Sequence, residues 1–322
     1  MKTVFLTLLS LASLASTCLA ESSQDTDKPV VYVPVLPYEY LFERIGGDWI
    51  EVRTIVGEGD DPHDYSPTPK QIARMAEANL IFSGDLGFEG NFFIKTGDGR
   101  DAPREISLLE GLELREGSCE ICEESHAKKH EHDHDHDHKH EGEHKHEGEH
   151  DHHHDHDHGD LKDPHVWLSP AMLIEQTTII AAHLEKHLPA EAAESIAENL
   201  RALHGDLKEL DKELAVALSP LRGQTFYVFH GAFGYFADAY GLEQKAVEDL
   251  AGRRPTPKQL AELATQAKKD GVKLIFTQPQ FDQSSARSLA RTIGGQVQPL
   301  DPLERDVIAN LRTIASLVGS DR

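Results

Sequence analysis

Basic residues are what this 322-residue chain is short of: 32 Lys and Arg stand against 56 Asp and Glu, a formal charge of −24. Nucleic-acid binding draws on clustered cations that displace phosphate counterions, so that class is excluded and cations become the expected partners. Cysteine is scarce as well, with three in all, and only Cys119 and Cys122, spaced C-x-x-C, lie beyond the N-terminal segment. A zinc ribbon needs a second such pair, so these two read as a small disulfide in an oxidising compartment or as two idle thiols. After residue 20 no apolar run is long enough to cross a bilayer.

The N-terminus is the exception to that polarity. Lys2 precedes an apolar run from Val4 to Leu14, and small residues follow up to Ala20. This is the pattern of a secretory signal peptide over residues 1–20, cleaved after Ala20, so the mature chain is exported. Lipidation of Cys18 is the second reading, because Thr17 suits the position before such a cysteine poorly.

The length exceeds what one hydrophobic core fills, which predicts two domains. Short β-rich apolar runs alternate with helical patterns: "VVYVPV", "VRTIV" and "NLIFSG" early, then "TFYVFH", "KLIFTQP" and "GQVQPLD" late. Such alternation is the signature of βαβ units around parallel sheets. Between the two sets, a segment starting at Pro189 is rich in Ala, Leu, Glu and Lys with apolar residues at helical spacing. The expected organisation is an N-terminal α/β lobe over residues 28–186, a linking helix over 187–221 and a C-terminal α/β lobe over 222–322. An internal echo supports lobes of similar build, because "PTPKQ" opens a helix and then an apolar strand from both Pro67 and Pro255. Thr68 and Thr256 are the expected N-caps, each with proline at N1.

Most of the 21 histidines crowd into a tract of alternating His, Asp, Glu and Gly, with almost nothing apolar. It cannot bury a core, so a disordered loop of about 117–160, inserted in the first lobe, is expected. His132, His134, His136, His138, His140, His152, His153, His154, His156 and His158 would form weak accessory metal sites there, since fixing a chain costs about 1–2 kcal/mol per residue. Outside the tract, His183, His187 and His204 sit in Glu- and Lys-rich helical sequence and read as solvated helix residues. His63 and His165 differ: "DDPHDYSPTP" and "DPHVWLSP" place each after Asp-Pro and ahead of a second proline, which stiffens the loop that aims the ring. His230 ends an apolar strand in "FYVFHGAFGYF", and open α/β sheets collect ligands at strand ends.

These motifs, with "DPHDYSPTPKQ", "FHGAFGYFADAYGL" and "QPLDPL", resemble the zinc-specific periplasmic solute-binding proteins of bacterial ABC transporters, within a metal-receptor cluster that includes manganese receptors. The resemblance covers nearly all of the mature chain except the tract. It implies two (β/α) lobes with parallel sheets joined by a long rigid α-helix, the metal lying in the interlobe cleft. It makes His63, His165 and His230 the imidazole ligands and matches Asp301 to an acidic position in the second lobe. Pro62 stands where some zinc receptors have glutamate, so the fourth ligand is Asp301 or a water. The implied cargo is Zn2+, the location the periplasm, and the partner a membrane permease with its cytoplasmic ATPase; a monomer that is not an enzyme is expected.

Three imidazoles and at most one carboxylate suit zinc, whereas manganese asks for more oxygen. Zinc members of the resembled family also have His-rich loops, and the tract is read as capturing or buffering zinc. A manganese receptor of the same family is the nearest alternative. A zinc hydrolase, a zinc store and a surface adhesin are the others, but H-E-x-x-H occurs only within the His-rich tract and never in sequence with a helical pattern, as a hydrolase would need.

Overall fold

The computed structural model describes residues 28–89, 104–117, 162–248, 255–281 and 283–320. The first lobe contains β1 (Val30–Val33), α1 (Leu36–Gly46), β2 (Glu51–Thr54), α2 (Pro69–Met75), β3 (Leu80–Ser83), β4 (Arg104–Ser107) and α3 (Pro170–His187). The helix α4 (Ala193–Leu218) leads to the second lobe. There β5 (Thr225–His230), α5 (Gly234–Tyr240), β6 (Glu243–Glu248), α6 (Pro257–Lys269), β7 (Leu274–Thr277), α7 (Ser284–Ile293), β8 (Gln296–Pro299) and α8 (Val307–Gly319) follow.

Both sheets have four strands, all parallel, in the orders β2-β1-β3-β4 and β6-β5-β7-β8. The architecture is thus α/β with the same strand order repeated, as the internal echo suggested. Each order reverses direction beside its first strand, and ligands gather outside the carboxyl ends of strands at such a reversal. Strands β3 and β5 are buried almost throughout, which is why their sequences read as continuous apolar runs. The edge strands β4 and β6 carry charged sequences, "REIS" and "EQKAVE", and were absent from the sequence expectation. Edges tolerate charge because one side lacks a partner strand, so their apolar signal is weak.

The repeated helix starts are capped alike. Thr68 accepts from the Gln71 backbone N–H while the Gln71 side chain accepts from Thr68, and Thr256 and Gln259 repeat the arrangement. Each proline at N1 removes an N–H that would have lacked a partner.

Helix α4 is 26 residues long, a span of about 39 Å. Its buried stripe of Ile196, Leu203, Leu207, Leu210, Leu214 and Leu218 recurs at helical spacing. Its first half is tied to the first lobe, where Asn199 donates to the Ile45 carbonyl and Asp206 pairs with Arg44 at 2.7 Å. Its second half is tied to the other lobe, where Asp211 accepts from Tyr240 and Glu213 pairs with Arg312 at 2.9 Å. The helix begins at Ala193, after a break at Leu188 and Pro189, and short 3-10 turns flank it at Ala190–Ala192 and Ser219–Leu221. One apolar cluster runs from β1 through α4 to Phe233, Phe236 and α8, so the lobes share packing and not only a linker. Among the described residues no helix is long and apolar enough to cross a membrane.

The segment 1–20, Cys119, Cys122 and all ten tract histidines named above lie outside the described residues.

Candidate metal centre

The loop after β2, the turn ahead of α3 and the carboxyl end of β5 bring His63, His165 and His230 together. His63 follows β2 in a 3-10 turn over Pro62–Asp64, His165 opens a second such turn, Val166–Leu168, ahead of α3, and His230 is the last residue of β5. Their ring centroids are 5.8 Å (His63–His165), 4.7 Å (His63–His230) and 5.3 Å (His165–His230) apart. One ring nitrogen from each lies within 4.8 Å of the other two. Among the described residues this is the one group of three or more His, Cys, Asp or Glu side chains so arranged.

The Asp-Pro-His sequence explains how two of these rings are aimed. Asp61 Oδ1 accepts from the His63 backbone N–H at 2.8 Å, and Asp163 Oδ1 accepts from that of His165 at 3.0 Å. Each is an Asx turn, with the intervening proline fixing φ. Asp163 does more. The same Oδ1 lies 2.8 Å from His165 Nδ1, and both side chains are buried. A carboxylate at Nδ1 holds the ring proton there, which leaves the Nε2 lone pair for a metal.

His230 is held differently. The Gln278 side chain accepts from the His230 backbone N–H at 3.1 Å and donates to its carbonyl at 2.9 Å, so β7 locks the end of β5. The Phe281 ring stacks on the imidazole at 5.0 Å. Trp167 closes the other side: its ring lies 5.2 Å from that of His165, and its indole N–H donates to the Pro302 carbonyl across the lobe boundary at 2.8 Å. Gln278, Trp167 and Asp163 were not read as site residues from sequence. Only Asp163 had a local signal, an acid two residues before a histidine across a proline.

Burial shapes the electrostatics. Desolvation lowers the His63 pKa to about 4; the neighbouring His165 pushes it the same way, and Asp163 pulls against them. The ring is therefore neutral, the form that ligates, across the physiological range.

Asp301 stands outside the group of three. Gln280 Nε2 donates to both its carboxylate oxygens at 2.9 Å, and the Leu303 backbone N–H donates to Oδ1 at 2.8 Å, a third Asp-Pro turn. It lines a cavity of about 220 Å³ whose walls include Val35, Gly57 and Glu58 from the first lobe and Gln280, Leu303 and Arg305 from the second.

The other described histidines, His183, His187 and His204, are only half-buried. His204 Nε2 lies 3.0 Å from Thr177 Oγ1, joining α3 to α4, and the His187 ring stacks beside His183 with its Nδ1 bonded to the His183 carbonyl at 2.8 Å. All three lie on helices, as read from the sequence, and are half-buried rather than fully solvated.

Comparison with known proteins gives this geometry its context. The family described as the periplasmic component A of a zinc-uptake complex, ZnuA, matches residues 31–313. The chain belongs to this family. It is 29% identical over 313 residues to the zinc-binding lipoprotein AdcA of Streptococcus pneumoniae strain R6, covering 94% of this chain and 56% of that one. It therefore spans about half the length of the streptococcal relatives it matches. The high-affinity zinc uptake system protein ZnuA of Bacillus subtilis strain 168 is 29% identical over 280 residues, covering 86% of this chain and 79% of that protein. A ZnuA crystal structure superposes with a TM-score of 0.74 at 28% identity, over 92% of this chain and 99% of that one. A zinc-bound deletion mutant of ZnuA gives the same TM-score and identity, covering 92% of this chain and 98% of the mutant. The ZnuA family thus shares the two-lobed build described above.

Proposed function

We propose that this protein is the periplasmic receptor that binds Zn2+ as cargo and delivers it, as a monomer, to the membrane permease of an ABC transporter with its cytoplasmic ATPase. The observation that carries the reading is the convergence of imidazoles from both lobes, His63 and His165 facing His230, with ligand atoms within 4.8 Å. Three nitrogens on one tetrahedral zinc ion, at about 2.0–2.1 Å each, stand about 3.4 Å apart. The widest pair therefore closes by about 1.4 Å at most when the ion enters. Asp301 is the candidate for the fourth position, in exchange for its hydrogen bonds to Gln280; where it stays with Gln280, a water fills that place.

The reading is of a carrier, not a catalyst. Asp163 is the acid beside the rings, and its oxygens are engaged by His165 and by Arg115, so it is not poised to take a proton from a metal-bound water. Export by cleavage after Ala20 belongs to the same proposal, and so does metal capture by the tract histidines.

Competitive titration with Zn2+ and Mn2+ tests it. The parent chain is expected to bind zinc tightly and manganese weakly. His230→Ala is expected to weaken zinc more than about 100-fold, beyond what loss of an outer partner costs. Unchanged tight binding in His230→Ala overturns the assignment.

A further inference from the structure

Arg115 belongs to the first lobe, but its side chain is seated on the second. Its backbone N–H donates to the Tyr235 hydroxyl at 3.1 Å, its Nε donates to Asp238 Oδ2 at 2.9 Å, and its Cζ lies 5.9 Å from the Tyr235 ring centre. Gly234, at the start of α5, makes the seat possible: a Cβ there would stand 1.7 Å from Arg115 Nη1 and 2.4 Å from Cζ. No other residue type leaves room for the guanidinium in this position.

The opposite side of the same guanidinium reaches the metal centre. Arg115 Nη1 donates to Asp163 Oδ2 at 3.2 Å, and Asp163 presents its other oxygen to His165 Nδ1. The backbones are joined as well, Asp163 N–H donating to the Arg115 carbonyl at 3.0 Å beside an antiparallel bridge between Glu116 and Lys162. Tyr235 returns across the boundary by donating its hydroxyl to the Asp163 carbonyl at 2.8 Å. Asp163 is wholly buried, so Arg115 supplies its charge partner, and a buried carboxylate that loses its partner is free to turn from its target.

We propose that Arg115 is a positioning residue for the metal centre: seated on Gly234 and Asp238, it keeps Asp163 against His165 only while the lobes are docked, so lobe contact and imidazole orientation are set together. The inference rests on the receptor reading above. It assigns to Gly234, Tyr235 and Asp238 a part in metal retention although none of them is a ligand.

The test uses the full chain and Zn2+ with a competing chelator strong enough to strip weak sites, reading both affinity and dissociation rate. Arg115→Ala is expected to weaken zinc binding about 10–100-fold, the range for loss of an outer partner. Gly234→Ala should reproduce that loss with every ligand, Asp163 and Arg115 unsubstituted, because the new methyl group displaces the flexible end of Arg115 from its seat. The two changes combined should do no more than either alone, since they remove one interaction. A merely structural role would lower the melting temperature and leave the affinity of the folded protein alone. Should Arg115→Ala fail to fold, Gly234→Ala and Asp238→Asn carry the measurement. Affinity and dissociation rate within twofold of the parent in these variants overturn the clasp alone. A parent chain without tight zinc binding overturns the receptor reading, and the clasp with it.

Discussion

Acidification should leave His63 neutral long after an ordinary imidazole has taken up a proton. Its pKa is lowered from 6.5 to about 4, by burial first and by the adjacent His165 second, with Asp163 opposing. Protons compete with zinc for a ligand in proportion to how far the pH lies below its pKa. At pH 5 a ligand of pKa 6.5 would cost about 30-fold in apparent affinity, whereas one of pKa about 4 costs about 1.1-fold. Stability of the metal-free protein carries the same sign. Between pH 6.5 and 4 the unfolded chain binds the proton and the folded chain does not, so stability is highest above 6.5 and is lost as pH falls toward 4. The loss attributable to His63 is at most about 3 kcal/mol, and less because solvent reaches part of the ring. The assay is NMR titration of imidazole Hε1 resonances in metal-free protein lacking residues 126–158, with His63 assigned from His63→Ala. A His63 resonance that titrates at pH 6 or above would refute the desolvation argument.

Two further outcomes are expected. Removing residues 126–158 should abolish several weak zinc equivalents in an isothermal titration and leave one tight equivalent; loss of the tight one would place the principal site in the tract. Thr256→Ala should cost about 1 kcal/mol in urea unfolding by uncapping α6, and Thr256→Ser should restore most of it; an unchanged midpoint in Thr256→Ala would show that the capping box contributes nothing.

Legibility in the sequence followed the range of the forces involved. Strands buried on both faces announced themselves as apolar runs, and the two Thr-Pro caps were readable because every partner lies within three residues. His63 and His165 were readable for a related reason: Asp-Pro-His is a local device, complete in three residues. Edge strands β4 and β6 were not, because half of their environment is solvent and their residues are charged accordingly. Gln278, Trp167 and Arg115 were invisible for another reason. Each acts on a residue tens of positions away, Gln278 on His230, Trp167 on Pro302 and Arg115 on Asp238, and no local pattern encodes such a meeting.

The three Asp-Pro turns also constrain how an ion can leave. Asp61, Asp163 and Asp301 each accept the backbone N–H two residues on, so the lips of both lobes are built from one rigid turn. Helix α4 is braced to α1 on one side and to α8 on the other, and a single apolar cluster passes through it, so a wide swing of the lobes would expose shared core. Arg305 pairs with Glu39 at 2.8 Å and also with Glu43, and Trp167 bonds Pro302, adding polar ties across the boundary. Burial stabilises by about 25 cal/mol per Å² of apolar surface, so opening a few hundred Å² of that core would cost several kcal/mol before any polar tie is broken. Displacements of an ångström or so in the turn bearing His63 move no member of the cluster, whereas the turn beside His165 carries Trp167 and Leu168, which belong to it. On the receptor reading proposed above, a hinge opening is therefore the costlier route, and release of the ion through movement of the His63 turn, with His165 anchored beside Trp167 and His230 held on β5 by Gln278, is the one the packing favours.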